Sequence, residues 1–122
     1  MPWLYVGVGA FFGANARYWI GGWAADRFGT GFPYGTFIIN VSGSFAIGFL
    51  AAFFAERSYS PNWRLFLMVG FLGGYTTFSS YSYEALRLFE DGAYFLGGLY
   101  LFGSPFVGLA GCLIGVALGR LV

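Results

Sequence analysis

The chain alternates long apolar runs with short clusters of charges and turn residues. Phe28 to Ala55 carries no charge, nor does Leu65 to Tyr83, nor Gly92 to Gly119, and Met1 to Ala25 is broken only by Arg17. Between them lie Asp26-Arg27-Phe28-Gly29-Thr30-Gly31, Glu56-Arg57-Ser58-Tyr59-Ser60-Pro61 and the stretch from Glu84 to Asp91. A membrane-crossing helix needs about 20 mainly apolar residues. The pattern therefore predicts four transmembrane helices, over about residues 2–25, 34–55, 63–83 and 92–120, joined by loops of ordinary length for antiparallel neighbours. Residues 1–122 read as a single all-α transmembrane domain, with no soluble domain, linker or clear internal repeat. The first run has neither a basic leader nor a small-residue cleavage site, so it is expected to be a retained span.

Composition sharpens this picture. Hydrophobic residues make up 58% and charged residues 9%, against about 25% charged in an average soluble chain. Lysine and histidine are absent, and the net charge is +1. That balance argues against a nucleic-acid binder, which needs a concentrated basic face. Without histidine, and with Cys112 as the single cysteine, zinc fingers, disulfide frameworks and histidine-dependent catalysis are excluded. No nucleophile–base pair can be assembled, so an enzyme is not expected.

The charges also bear on orientation. Four spans would put Arg57, Arg64 and Arg120 on one side and Arg27, Arg87 and Arg17 towards the other. The usual cytoplasmic excess of basic residues is missing. Either a partner sets the orientation, or copies insert both ways and pair head-to-tail. Four spans of about 20 residues have too little interior to enclose a solvated path and still pack every helix, so a homo-oligomer is expected.

Polar residues inside the spans carry the remaining information. Gly9, Gly13, Arg17 and Gly21 recur every four residues in the first span. Ser104, Gly108, Gly111, Gly115 and Gly119 form a similar seam in the fourth. Such seams let helix backbones approach closely in lipid, and Cys112 reads as one more small packing residue. Thr36, Asn40 and Ser44, at i, i+4 and i+8, lie on one stripe of the second span. A buried amide must find partners, so Asn40 is either interhelical glue or part of a wet path. Tyr100 and Ser104 put two hydroxyls on one face of the fourth span. In the third, Gly73-Gly74 followed by Thr76-Thr77 weakens the helix through backbone entropy and competing side-chain bonds. Broken helices at membrane depth are recurrent ion-site elements.

Arg17 is the one ionisable residue well inside a run, and it either serves a function or snorkels to an interface. No carboxylate sits mid-span, which weakens a proton-coupled transporter. The lining on offer is hydroxyls, an amide, one arginine and many phenylalanines, whose ring edges are electron-poor. That inventory leans towards a small hydrated anion.

These motifs resemble the bacterial fluoride channel family known as Fluc or CrcB. Its first-span pattern GGxxGAxxRY is matched by Gly9-Ala10-Phe11-Phe12-Gly13-Ala14-Asn15-Ala16-Arg17-Tyr18, with alanine replacing the second glycine. The second-span GT…N…G is matched by Gly35-Thr36, Asn40 and Gly43, and GGxTTFS by Gly73-Gly74-Tyr75-Thr76-Thr77-Phe78-Ser79. Tyr100 and Ser104 match the fourth span, so the resemblance runs from about Gly9 to Gly119.

The resemblance implies a fluoride-selective channel exporting cytoplasmic fluoride passively across the bacterial plasma (inner) membrane. Its architecture would be an antiparallel, dual-topology homodimer of four-helix subunits, the third helix broken mid-span, with two pores. A structural sodium ion would sit at the dimer centre on the backbone carbonyls of Gly73 and Thr76. Asn40 would donate to fluoride, Phe78 and Tyr81 would occupy the pore ring positions, Ser79 and Ser80 would belong to the polar pathway, and Tyr100 with Ser104 would line the route onward. Arg17 would face a vestibule. Tyr81 replaces the usual phenylalanine, and its hydroxyl could donate or tilt the ring. Two other classes fit parts of the pattern. A small multidrug-type exporter needs an acidic residue in the first span, and Met1 to Ala25 has none. A non-transporting membrane assembly subunit would use Asn40 and Thr76-Thr77 as helix glue.

Overall fold

Three of the four prolines and the two positive-φ glycines mark where helices begin and end. Pro2 opens helix α1 (Pro2–Phe28), which closes at Gly29 with φ of 82°. Pro33 precedes α2 (Tyr34–Ala55). Pro61 opens α3 (Pro61–Arg64), where the Ser60 hydroxyl accepts the Asn62 N–H at 3.2 Å. A missing N–H costs nothing at a helix start, and glycine adopts positive φ without strain. In this computed structural model, which describes all 122 residues, every regular element is helical.

The third run departs from a simple helix. After α3 the chain is π-helical from Leu65 to Leu72, then forms α4 (Gly73–Tyr75). Thr76 is extended, with φ of −82° and ψ of 157°, and helix resumes as α5 (Ser79–Glu90). Gly73 and Gly74, expected from sequence to weaken the helix, stay helical; the chain leaves the helical path at Thr76. The π-helical stretch was not legible in the sequence.

Helix ends also differ from expectation. The stretch from Glu84 to Asp91 was expected to be a separating cluster, but α5 runs through Glu90 and turns at Gly92. The reason is a satellite core: Tyr81, Ala85 and Leu88, at i, i+4 and i+7, pack with Tyr100 of α6 (Tyr94–Leu121). That apolar stripe keeps the last turns helical despite their charges. Likewise α1 continues through Asp26 and Arg27 to Phe28.

Glycines set the packing. Cβ atoms at Gly9 and Gly13 would run into the Phe66 and Phe71 carbonyls, and one at Gly70 would lie 2.7 Å from the Val6 carbonyl. Thus α1 and the π-helical segment touch backbone to backbone. The same holds between α6 and α2, where a Cβ at Gly115 would strike the Phe45 carbonyl and one at Gly119 would come within 2.6 Å of that of Phe49. Cys112 packs its backbone against Gly48.

Only 18 of 122 residues are buried, and large apolar side chains such as Phe95 (79% exposed) and Phe106 (75%) face outwards. Two helices, α2 and α6, are long and apolar enough to cross a membrane. An apolar exterior on this scale is that of a membrane protein rather than of a chain bathed in water.

Candidate functional site

The interruption at Thr76–Phe78 removes helical partners from the backbone groups on either side of it. Side chains from two other helices replace them. The Asn40 amide accepts the Thr77 N–H through Oδ1 at 2.9 Å and donates through Nδ2 to the Thr77 carbonyl, also at 2.9 Å. From α1, Arg17 Nε donates to the Gly74 carbonyl at 3.1 Å. Within the segment, the Thr76 N–H and hydroxyl both donate to the Leu72 carbonyl at 3.0 Å. Thr77 Oγ1 accepts the Ser80 N–H at 3.2 Å, steadying the first turn of α5.

Two cavities flank this joint. The first is an open groove of about 510 Å³ that brings together Asn40, Ser44, Gly73, Thr76, Thr77, Phe78, Tyr81 and Ser104, and no charged residue lines it. The second, about 630 Å³, is lined by Arg17, Thr36, Thr77, Ser80 and Glu84. Thr77 belongs to both, so the Asn40 clamp sits on the wall between them. A third cavity of about 400 Å³ shares Thr36 and Glu84 and opens among Tyr83, Arg87 and Asp91.

The ten residues singled out in the sequence are thus divided. Asn40, Gly73, Thr76, Phe78, Tyr81 and Ser104 meet in the groove, and Arg17 and Ser80 line the second cavity. Ser79 is exposed, its hydroxyl 3.5 Å from that of Thr77. Tyr100 lines none of these cavities. It is 1% exposed, and its hydroxyl donates to Glu84 Oε1 at 3.3 Å, with the Phe32 ring edge-on at 5.4 Å. The stripe on α2 is divided too, Thr36 facing one cavity while Asn40 and Ser44 face the other.

Ring and hydroxyl positions define what the groove offers. Phe78 is 78% exposed, with its centroid 5.9 Å from that of Tyr81. The Tyr81 hydroxyl donates to the Leu101 carbonyl, so its hydrogen is engaged within the chain. Ser104 Oγ is buried without a partner. An amide NH₂ has two donors, so Asn40 keeps one N–H beyond its bond to Thr77.

A cation would find only oxygen ligands here. No cluster of three metal-binding side chains exists. The donor set suits a hard ion, which prefers carbonyl oxygen. The extended Thr76 takes its carbonyl out of the helical path.

Two contributors escaped the sequence reading. Thr77 was visible inside the threonine pair, but its role as the joint gripped by Asn40 was not. Glu84 looked like a span end, whereas it is half-buried on α5 beside Tyr100. Its spacing of three from Tyr81 and four from Ser80 was the available signal.

Residues 4–116 match the family model described as CrcB-like protein, Camphor Resistance (CrcB). Among similar curated proteins, one from Roseiflexus sp. is 47% identical over 120 residues, covering 98% of this chain and 97% of its own. One from Chloroflexus aurantiacus is 48% identical over 118 residues, covering 96% and 94%. One from Oceanobacillus iheyensis is 45% identical over 116 residues, covering 94% and 88%. All three are named fluoride-specific ion channel FluC. The chain belongs to the CrcB family.

Proposed function

We propose that this protein is a fluoride-selective ion channel that lets cytoplasmic fluoride leave passively down its electrochemical gradient. The observation that carries this reading is the groove beside Thr76–Phe78, lined by amide, hydroxyl and ring-edge donors with no carboxylate or basic group. Such a lining replaces part of an anion's hydration shell without trapping the ion on a full charge. The names of the relatives, which are fluoride-specific ion channels, point the same way.

In this reading Asn40 offers its second N–H to the ion, and the exposed Phe78 ring turns an edge to it. Tyr81 serves as a ring alone, its hydroxyl being held by Leu101. Ser104 supplies the unpartnered hydroxyl, and Ser79 and Ser80 belong to the polar route beyond the joint, while Tyr100, buried and bonded to Glu84, stands behind that route rather than lining it. Arg17 sits at the vestibule end of the second cavity. The groove is half-open in one subunit, and a second copy would close it. The working form is therefore an antiparallel, dual-topology homodimer of four-span subunits in the bacterial plasma membrane, with the third span broken at Thr76–Phe78. Sodium on the Gly73 and Thr76 carbonyls would supply fixed positive charge and bind the two subunits at the centre. Fluoride entering as neutral HF dissociates inside and leaves as the anion, which relieves toxicity.

Ion efflux from liposomes containing only the purified protein, read with fluoride and chloride electrodes, tests the proposal. Rapid fluoride release with little chloride is expected. If folded protein moves neither ion, the channel reading fails and an assembly subunit takes its place.

A further inference from the structure

We infer that Arg17 is a positioning residue for the interruption, acting through its Nε–H on the Gly74 carbonyl rather than through its charge. The inference rests on the reading that the Thr76–Phe78 segment forms part of the ion path. In an unbroken helix the Gly74 carbonyl would accept the Phe78 N–H, four residues on. The extended Thr76 prevents this, and an unpaired carbonyl away from water is costly. Arg17 Nε fills the vacancy at 3.1 Å.

The approach of α1 makes this bond possible. A Cβ on Gly74 would lie 2.8 Å from the Ala10 carbonyl, so the two backbones touch there. Arg17 stands seven residues after Ala10, two helical turns along the same face. One helix thus contacts Gly74 with its backbone and caps its carbonyl with a side chain. On the other side Asn40 of α2 grips both polar groups of Thr77. The two clamps bracket Thr76 and fix the direction in which its backbone turns.

Substitutions at one position separate donor from charge. Glutamine places its amide nitrogen the same number of bonds from Cα as arginine Nε, without charge. Lysine keeps the charge and moves the donor one bond outward. Methionine has neither. Hydrogen exchange of the Gly74–Phe78 peptide, measured by mass spectrometry on the full chain, is compared with fluoride efflux from liposomes for Arg17→Gln, Arg17→Lys and Arg17→Met. The expected order of protection and of flux is Gln above Lys above Met, with exchange in Arg17→Met faster by about tenfold, the loss of one hydrogen bond.

Lysine behaving as wild type while glutamine behaves as methionine would overturn the inference in favour of charge. Unchanged exchange in all three would remove the bond from any positioning role. If Arg17→Met does not fold, the glutamine–lysine pair alone decides the order. If the wild type moves no fluoride while the exchange order holds, the channel reading fails and the positioning role stands.

Discussion

The seam between α2 and α6 and the contact between α1 and the Leu65–Tyr75 segment use the same device to different ends. Both bring backbones together through glycine: Gly115 and Gly119 against Phe45 and Phe49 in one, Gly9 and Gly13 against Phe66 and Phe71 in the other. Along the seam both helices continue and glycine packing is the main interaction; Pro105 inside α6 has no N–H for the Leu101 carbonyl, which accepts the Tyr81 hydroxyl instead. Beside α1 the partner segment is π-helical and then interrupted. Its freed groups recruit Arg17 and Asn40. Close approach supplies stability in both places, but the interrupted side also leaves backbone polar groups that side chains from two other helices must meet.

The two regions should respond alike to lost space and differently to lost polarity. Gly13→Val and Gly115→Val each force a side chain into a backbone carbonyl, and each is expected to cost about 3 kcal/mol or more, seen as loss of the monodisperse species in size-exclusion chromatography. Gly7→Ala, where a Cβ meets nothing within 4 Å, should elute unchanged. Equal tolerance at all three sites would mean that the glycine contacts do not hold the fold.

Next in size is Asn40→Asp, which removes the donor to Thr77 and sets a carboxylate against its carbonyl. A loss of about 2 kcal/mol and at least a tenfold fall in fluoride efflux are expected, while Cys112→Ala on the seam changes little in either. Fluoride flux equal to wild type in Asn40→Asp would defeat the donor role of Asn40. Phe78→Ile should follow, with flux lower by about fivefold for the loss of a ring-edge contact. Because Phe78 is 78% exposed within its own subunit, the helix content by circular dichroism should not change. An unaltered flux would take Phe78 out of the path. The smallest effect belongs to Tyr81→Phe, which forfeits the bond to Leu101 and about 1 kcal/mol of stability. Its flux should stay near wild type, and a large drop would show that the hydroxyl meets the ion.

Several elements were legible in advance because they depend on near neighbours in the chain. Charge-free runs gave the helices over 34–55 and 94–121 to within a few residues, since length and apolarity alone decide what suits a membrane. Four-residue glycine spacing marked which faces would touch. The motif around Gly73 to Ser79 pointed to the region where the helix fails.

Tertiary structure decided the rest, and the reason is that unpaired backbone groups take whatever donor lies close in space. Within the Gly73–Thr77 stretch the point of departure is Thr76, where Asn40, 37 residues from Thr77 in sequence, binds both the N–H and the carbonyl of Thr77. Arg17, 57 residues from Gly74, supplied the other cap. Glu84 moved from an expected span end into a half-buried bond with Tyr100 because Ala85 and Leu88 had a core to join. Local pattern determines where a helix is affordable, and the three-dimensional neighbourhood determines where it can be interrupted without leaving a polar group alone.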